Sequence, residues 1–211
     1  MENIKLICLD LDETLIAENS WKKLATSLGI SDEEDEKMHR DSKAGKLSYT
    51  DWVTKVLGYY MKHENGNRKD MTRILSQYVY SPGAKEIIKY LKDKGYELVI
   101  ISGAIDILVN IVAKDLDIKY AKSLYASEFD DNDRIINLHT EDDEGKAKLR
   151  HLETFCEMLN IDISECAAIG DGDNDIELFR KTGHGITFHG SHIENESWKI
   201  IDKLEDLKSL L

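Results

Sequence analysis

The sequence predicts an α/β protein whose parallel sheet is interrupted, directly after its first strand, by an all-helical insertion. Three observations carry this. A short apolar run, Ile4 to Leu9, reads as a buried strand and ends in two aspartates. Residues 17–80 then show only helical periodicity. From Ser81 onward, apolar runs of strand length alternate with helical ones. Strands joined by helices in this way build a parallel sheet with helices on its faces, a Rossmann-like three-layer core. The expected division is a core of residues 1–16 and 81–211 and a helical unit of residues 17–80.

Within the insertion, Trp21, Leu24, Ala25 and Leu28 recur at helical spacing, and Gly29 ends that helix. Glu33 to Glu36 reads as a solvated face. Trp52, Val53, Val56 and Leu57 give a second apolar face, and Met71, Ile74, Leu75 and Tyr78 a third. Ser81-Pro82-Gly83 looks like a helix start, with serine as cap and proline in the first turn. A helix over 84–94 ends at Gly95. A strand over 97–101 ends at Ser102-Gly103, and residues 105–116 read as helix. Residues 123–129 and 134–138 flank an Asp-rich turn and predict a β-hairpin. A helix over 148–159 precedes a strand over 166–169. Residues 176–181 are expected to be helical, 185–188 a strand, and the tail from Trp198 helical.

The chain has 211 residues, of which 41% are apolar, enough for a packed core. Its net charge of −13 argues against nucleic acid and anionic lipid as partners. No apolar stretch approaches the length of a membrane span, and the first residues lack a secretory leader, so a cytoplasmic location is expected. Cys8, Cys156 and Cys166 are odd in number, widely spaced and without a C-x-x-C, which predicts buried thiols.

Parallel sheets bind ligands at the carboxyl ends of their strands. Three candidate segments fall there: Asp10 to Thr14, Ser102-Gly103, and Gly170 to Asp175. Asp10 and Asp12, two residues apart at a strand end, point to one side of the chain. Two anions held close repel, and a hard cation such as Mg²⁺ is the commonest reason for the pairing. One carboxylate can then act as a nucleophile and the other can handle a proton. Thr14 could cap the next turn or orient the loop. The loop Gly170-Asp171-Gly172-Asp173-Asn174-Asp175 is not a calcium loop, because Ile176 and Thr182 stand where glycine and glutamate are required. It also lacks the third glycine of a dinucleotide fingerprint. Ser102 and Gly103 offer a hydroxyl and backbone N–H groups near a helix start, a phosphate cradle. Lys146 or Lys148 would supply the point positive charge that an acidic protein needs for phosphate. His184, His189 and His192 match no strong zinc spacing.

In order, these give Asp-x-Asp-x-Thr, then Ser, then Lys, then Gly-Asp-Gly-x-Asn-Asp. The joint pattern strongly resembles the haloacid dehalogenase superfamily of phosphohydrolases, and the helical insertion resembles the cap of its phosphoserine phosphatase branch. The resemblance implies Asp10 as nucleophile and Asp12 as general acid and base. It implies Mg²⁺ held by Asp10, the backbone carbonyl of Asp12, and Asp171. It further implies that Ser102, Gly103, Lys148 and Asn174 bind the phosphoryl group, with Thr14 and Asp175 in support. Lys148 fits the branch's spacing better than Lys146. For the rest of the substrate, the resemblance points to Glu18, Asn19 and Tyr49. The branch's substrate glutamate aligns with Asn19 and its substrate arginine with Val56, so the ester need not be phosphoserine. The implied activity is hydrolysis of a small phosphorylated metabolite. A phosphotransferase or mutase, or a non-catalytic phosphate-binding regulator, are the alternatives.

Overall fold

The computed structural model describes residues 3–141 and 143–211, apart from the side chains of His39, Ser42, Lys43 and Tyr49. In chain order the elements are β1 (Leu6–Leu9), α1 (Ser20–Ser27), α2 (Asp32–Lys43), α3 (Tyr49–Lys62), α4 (Arg68–Leu75) and α5 (Ala84–Asp93). There follow β2 (Glu97–Ile105), α6 (Asp106–Asp115), β3 (Tyr120–Phe129), β4 (Ile135–Thr140) and α7 (Glu144–Leu159). The chain closes with β5 (Cys166–Ile169), α8 (Ile176–Thr182), β6 (Gly185–Phe188), β7 (Lys199–Ile201) and α9 (Leu207–Leu210).

Among the described residues the strands form one sheet of order β4-β3-β2-β1-β5-β6-β7. Every neighbouring pair is parallel except β3 with β4, the hairpin. Strand β1 is central, and all four of its residues are at most 1% exposed, as an uninterrupted apolar run requires when helices cover both faces. The chain leaves β1 toward β2 on one side and returns to β5 on the other. That reversal opens a crevice at the carboxyl end of β1, where ligands bind in sheets of this kind.

The helical segment α1–α4 leaves and rejoins the sheet through adjacent strands of chain. Ala17 N–H donates to the Val79 carbonyl at 2.9 Å, and Ser81 N–H to the Leu15 carbonyl at 3.0 Å. Its far end is fastened to the hairpin. Arg134 donates to the carbonyls of Met61, His63 and Glu64, at and just beyond the end of α3, and Arg68 pairs with Asp133 at 3.2 Å. A guanidinium on those terminal carbonyls satisfies acceptors that the helix leaves open and matches its dipole.

Three local expectations are corrected. The tail from Trp198 is not helical at first: β-branched Ile200 and Ile201 join the sheet edge as β7, with Lys199 opposite Ile186, and only Leu207–Leu210 is helix. Ser81-Pro82-Gly83 forms a turn rather than a cap. Ala84 N–H donates to the Ser81 carbonyl at 3.0 Å, and Gly83, at φ 78°, takes the left-handed position that follows proline in a type II turn. Strand β2 does not stop at Ser102 but runs to Ile105, with its register against β3 shifting between those two residues. Such an irregularity bends a strand and re-aims its side chains, here beside the crevice.

Candidate active site

The loop after β1 is held by its own apolar residues. Leu11, Leu15 and Ile16 are fully buried, and the Leu11 carbonyl accepts from Thr14 N–H at 3.3 Å and Ile16 N–H at 2.9 Å. Asp10 and Asp12 both face one cavity, yet their carboxylates are committed differently. Asp10 Oδ1 lies 3.0 Å from Lys148 Nζ. Asp12 Oδ2 accepts from the backbone N–H and hydroxyl of Ser20, at 3.0 and 2.7 Å, while Asp12 Oδ1 is buried without a partner. Burial, with the neighbouring Asp10 charge, outweighs the two bonds from Ser20 and raises the Asp12 pKa to about 7.

The loop after β5 supplies the opposing wall. Thr14, itself fully buried, donates its hydroxyl to Asp171 Oδ1 at 3.0 Å and so ties the two acidic loops together. A side chain at Gly170 would place its Cβ 2.2 Å from Asp175 Oδ2, so only glycine lets Asp175 fold back under the loop. Asp175 Oδ2 accepts from Gly172 N–H at 3.3 Å, and its Oδ1 accepts from Lys148 Nζ at 2.7 Å.

Lys148 sits just over one turn into α7 and is fully buried, because the helix begins at Glu144 rather than at the lysine. Desolvation lowers its pKa, but Asp10 and Asp175 together more than compensate and raise it. Lys146, by contrast, is exposed and pairs with Asp143 at 2.9 Å, so Lys148 is the lysine brought to the loops.

Carboxylate oxygens of Asp10, Asp171 and Asp175 lie within 4.8 Å of one another, the one such ligating group among the described residues. His184, His189 and His192 are not part of it. Three carboxylates around one ammonium leave excess negative charge. Desolvation first, and Asp10 second, raise the Asp171 pKa to about 6. An all-oxygen donor set with uncompensated charge fits a hard divalent cation. The Asp12 carboxylate is committed to Ser20 through Oδ2 and is not among these clustered carboxylates.

Ser102, 1% exposed, accepts from Ala104 N–H at 3.1 Å and lines the same cavity as Gly103 and Asn174. The Gly103 carbonyl accepts from Trp21 Nε1 at 2.8 Å. Glu144, at the start of α7, accepts from Tyr125 Oη and from Asn174 Nδ2, both at 2.6 Å, which fixes the Asn174 amide. The cavity holds about 610 Å³, room for a small ligand.

The expected substrate residues divide. Asn19 lines the cavity but is also the N-cap of α1, accepting from Lys22 N–H at 3.0 Å. Glu18 is engaged elsewhere, with Lys23 at 2.7 Å and Val79 N–H at 3.2 Å. The Tyr49 side chain lies outside the described residues. Val56 is 1% exposed, in the apolar core. Sequence reasoning missed Ser20, Trp21, Trp52, Tyr125 and Glu144, and it read Asp35 as plain solvated surface although it lines the cavity; Glu36, which also borders the cavity, is exposed as expected and pairs with Arg40. The helical spacing of Trp21 and Trp52 signalled only packing.

A parallel sheet with two acidic loops, a buried lysine and a hydroxyl-bearing strand bend at its switch point defines a phosphate-ester hydrolase. The comparisons agree. A family model described as haloacid dehalogenase-like hydrolase matches residues 4–183. The phosphoserine phosphatase of Methanocaldococcus jannaschii is 30% identical over 212 residues, covering 98% of this chain and 96% of the relative. A substrate-bound phosphoserine phosphatase complex superposes with a TM-score of 0.79 at 26% identity, covering 99% of both chains. A phospho-aspartyl intermediate analogue of phosphoserine phosphatase gives 0.79 at 27% identity, over 98% of this chain and 99% of that one. The chain belongs to the haloacid dehalogenase-like hydrolase family, in its phosphoserine phosphatase-like branch.

Proposed function

We propose that this phosphatase is Mg²⁺-dependent and hydrolyses a small phosphorylated metabolite in the cytoplasm through a phosphoryl group carried on Asp10. The observation that carries the reading is the meeting of Asp10, Lys148 and Asp171 at the crevice beside β1, with an ammonium 3.0 Å from the first carboxylate.

In the first half-reaction an Asp10 carboxylate oxygen bonds to phosphorus and the bond from phosphorus to the leaving alcohol breaks. Asp12 gives its proton to the departing oxygen. In the second half, Asp12 takes a proton from water as the water oxygen bonds to phosphorus and the bond to Asp10 breaks, releasing inorganic phosphate. A carboxyl with a pKa near 7 is suited to both directions of proton transfer at neutral pH. Lys148 stays charged and offsets the developing charge on the phosphoryl oxygens, and Ser102, Gly103 and Asn174 bind those oxygens. The carboxylates of Asp10 and Asp171 with the Asp12 carbonyl would hold Mg²⁺, which would supply positive charge where an anionic nucleophile meets an anionic ester. Asp175 orients Lys148, and Thr14 orients Asp171. The helical segment contributes Asn19, Trp21, Lys22, Asp35 and Trp52 to the cavity wall.

Phosphoserine enters as a candidate through the relatives' names. Against it, Val56 stands buried where the branch has its carboxylate-binding arginine. Hydrolysis of a chromogenic aryl phosphate, with and without EDTA, tests the reading. Turnover that requires Mg²⁺ and returns when Mg²⁺ is restored supports it; a folded protein that releases no phosphate, or does so regardless of chelator, overturns it.

A further inference from the structure

The outer part of the catalytic cavity has a chemistry of its own. Trp21 and Trp52 meet edge to face with ring centroids 5.5 Å apart, and Trp21 stands likewise against Tyr125 at 4.7 Å. The bond from Trp21 Nε1 to the Gly103 carbonyl fixes this aromatic wall beside the phosphate-binding bend. Glu13, Asp35 and Glu36 also border the cavity. Among the described residues lining it away from the reacting carboxylates, Lys22 is the sole cation and no arginine occurs. Acids in the first turn of α2 favour that helix's dipole, but Asp35, the last of them, also borders the cavity, whereas Glu36, just beyond that turn, is exposed at the cavity's edge and pairs with Arg40 at 3.5 Å.

Aromatic faces attract cations, most strongly when desolvated, and carboxylates across a narrow cavity add to that attraction. The same surroundings repel a carboxylate, and the planar, bidentate donor that would hold one is missing from the described lining. We propose that the leaving alcohol of this enzyme's substrate carries an ammonium group and no carboxylate, its cation seated against the Trp21–Trp52 pair and facing Asp35. This rests on the hydrolase reading above and names the class of ester that the site selects.

The test uses the full chain with Mg²⁺ and compares kcat/KM for O-phosphoethanolamine, phosphocholine, O-phosphoserine and glycerol 3-phosphate, with an aryl phosphate as control. One or both of the ammonium esters lacking a carboxylate is expected to exceed phosphoserine and glycerol 3-phosphate by about tenfold or more. The ratio of the better ammonium ester to glycerol 3-phosphate is expected to fall at least about threefold in Trp52→Leu and in Asp35→Asn, chiefly through KM. Because a ratio is read, a variant that is partly inactive still reports. Equal or better turnover of phosphoserine or glycerol 3-phosphate, or a ratio unmoved in both variants, overturns the inference while aryl phosphate hydrolysis leaves the hydrolase reading standing. Loss of all turnover by folded wild-type protein, aryl phosphate included, overturns both.

Discussion

Ser20 donates twice to one oxygen of Asp12, from its backbone N–H at 3.0 Å and its hydroxyl at 2.7 Å. The next residue, Trp21, donates to the Gly103 carbonyl. The first turn of the helical segment therefore ties down both the Asp12 carboxylate and the strand bend at Gly103, and leaves Asp12 Oδ1 without a partner.

Ser20→Ala removes the hydroxyl donor and keeps the backbone one. A net hydrogen bond to a charged group is worth about 1.5–3 kcal/mol, so kcat is expected to fall by roughly tenfold or more with a smaller change in KM. Steady-state kinetics check this, and Ser20→Thr, which keeps the hydroxyl, recovers part of the loss.

Lys148→Met leaves Asp10 and Asp175 facing each other with no ammonium between them. Breaking a buried ion pair by deleting one partner costs about 3–5 kcal/mol. Urea unfolding at neutral pH without metal is expected to show a loss of that order, and phosphate release is expected to vanish.

The pH dependence of stability follows from Asp12 and Asp171, whose folded pKa values of about 7 and about 6 lie above the ordinary 3.8. The folded state holds these protons longer than the unfolded state does. Without metal, both groups therefore cost stability as pH rises above about 4, and the cost levels off above about 7 for Asp12. Asp12→Asn removes its share. The difference in Tm between variant and wild type is expected to be near zero at pH 4 and to grow in the variant's favour up to pH 8; a difference that shrinks with rising pH contradicts the assignment.

Thr14→Val keeps the shape of a fully buried side chain but removes the donor to Asp171. Partners of metal ligands typically set 10–100-fold of affinity, so calorimetric titration with Mg²⁺ is expected to show about tenfold weaker binding or more. Asp171→Asn is expected to weaken it further.

Much of this site was legible in the sequence because it depends on short-range pattern. An apolar strand ending in Asp10-Leu11-Asp12, and another ending in Gly170-Asp171, announce themselves, and parallel topology brings such ends together. Lys148 was favoured over Lys146 only through its resemblance to the branch's spacing, and the fold decides between them by burying Lys148 beside Asp10 and leaving Lys146 exposed. Ser20, Glu144 and Asp35 were not legible, because nothing local marks them. Ser20 looks like any polar residue at a helix start, and its role arises only because α1 docks on the loop after β1. Asp35 sits in an acidic run that suits a solvated helix, and only the fold turns it toward the cavity. The strand at Lys199–Ile201 was misread because three residues are too few to show a period, and its partner β6 decides the matter.

Covalent turnover requires that Asp10 carry the phosphoryl group. Rapid acid quench of the enzyme turning over an aryl phosphate, followed by peptide mass spectrometry, tests it most directly. A phosphoryl adduct on Asp10 that is absent from Asp10→Asn is expected. A folded, active protein whose adduct sits on another residue, or an Asp10→Asn variant that keeps wild-type turnover, contradicts it.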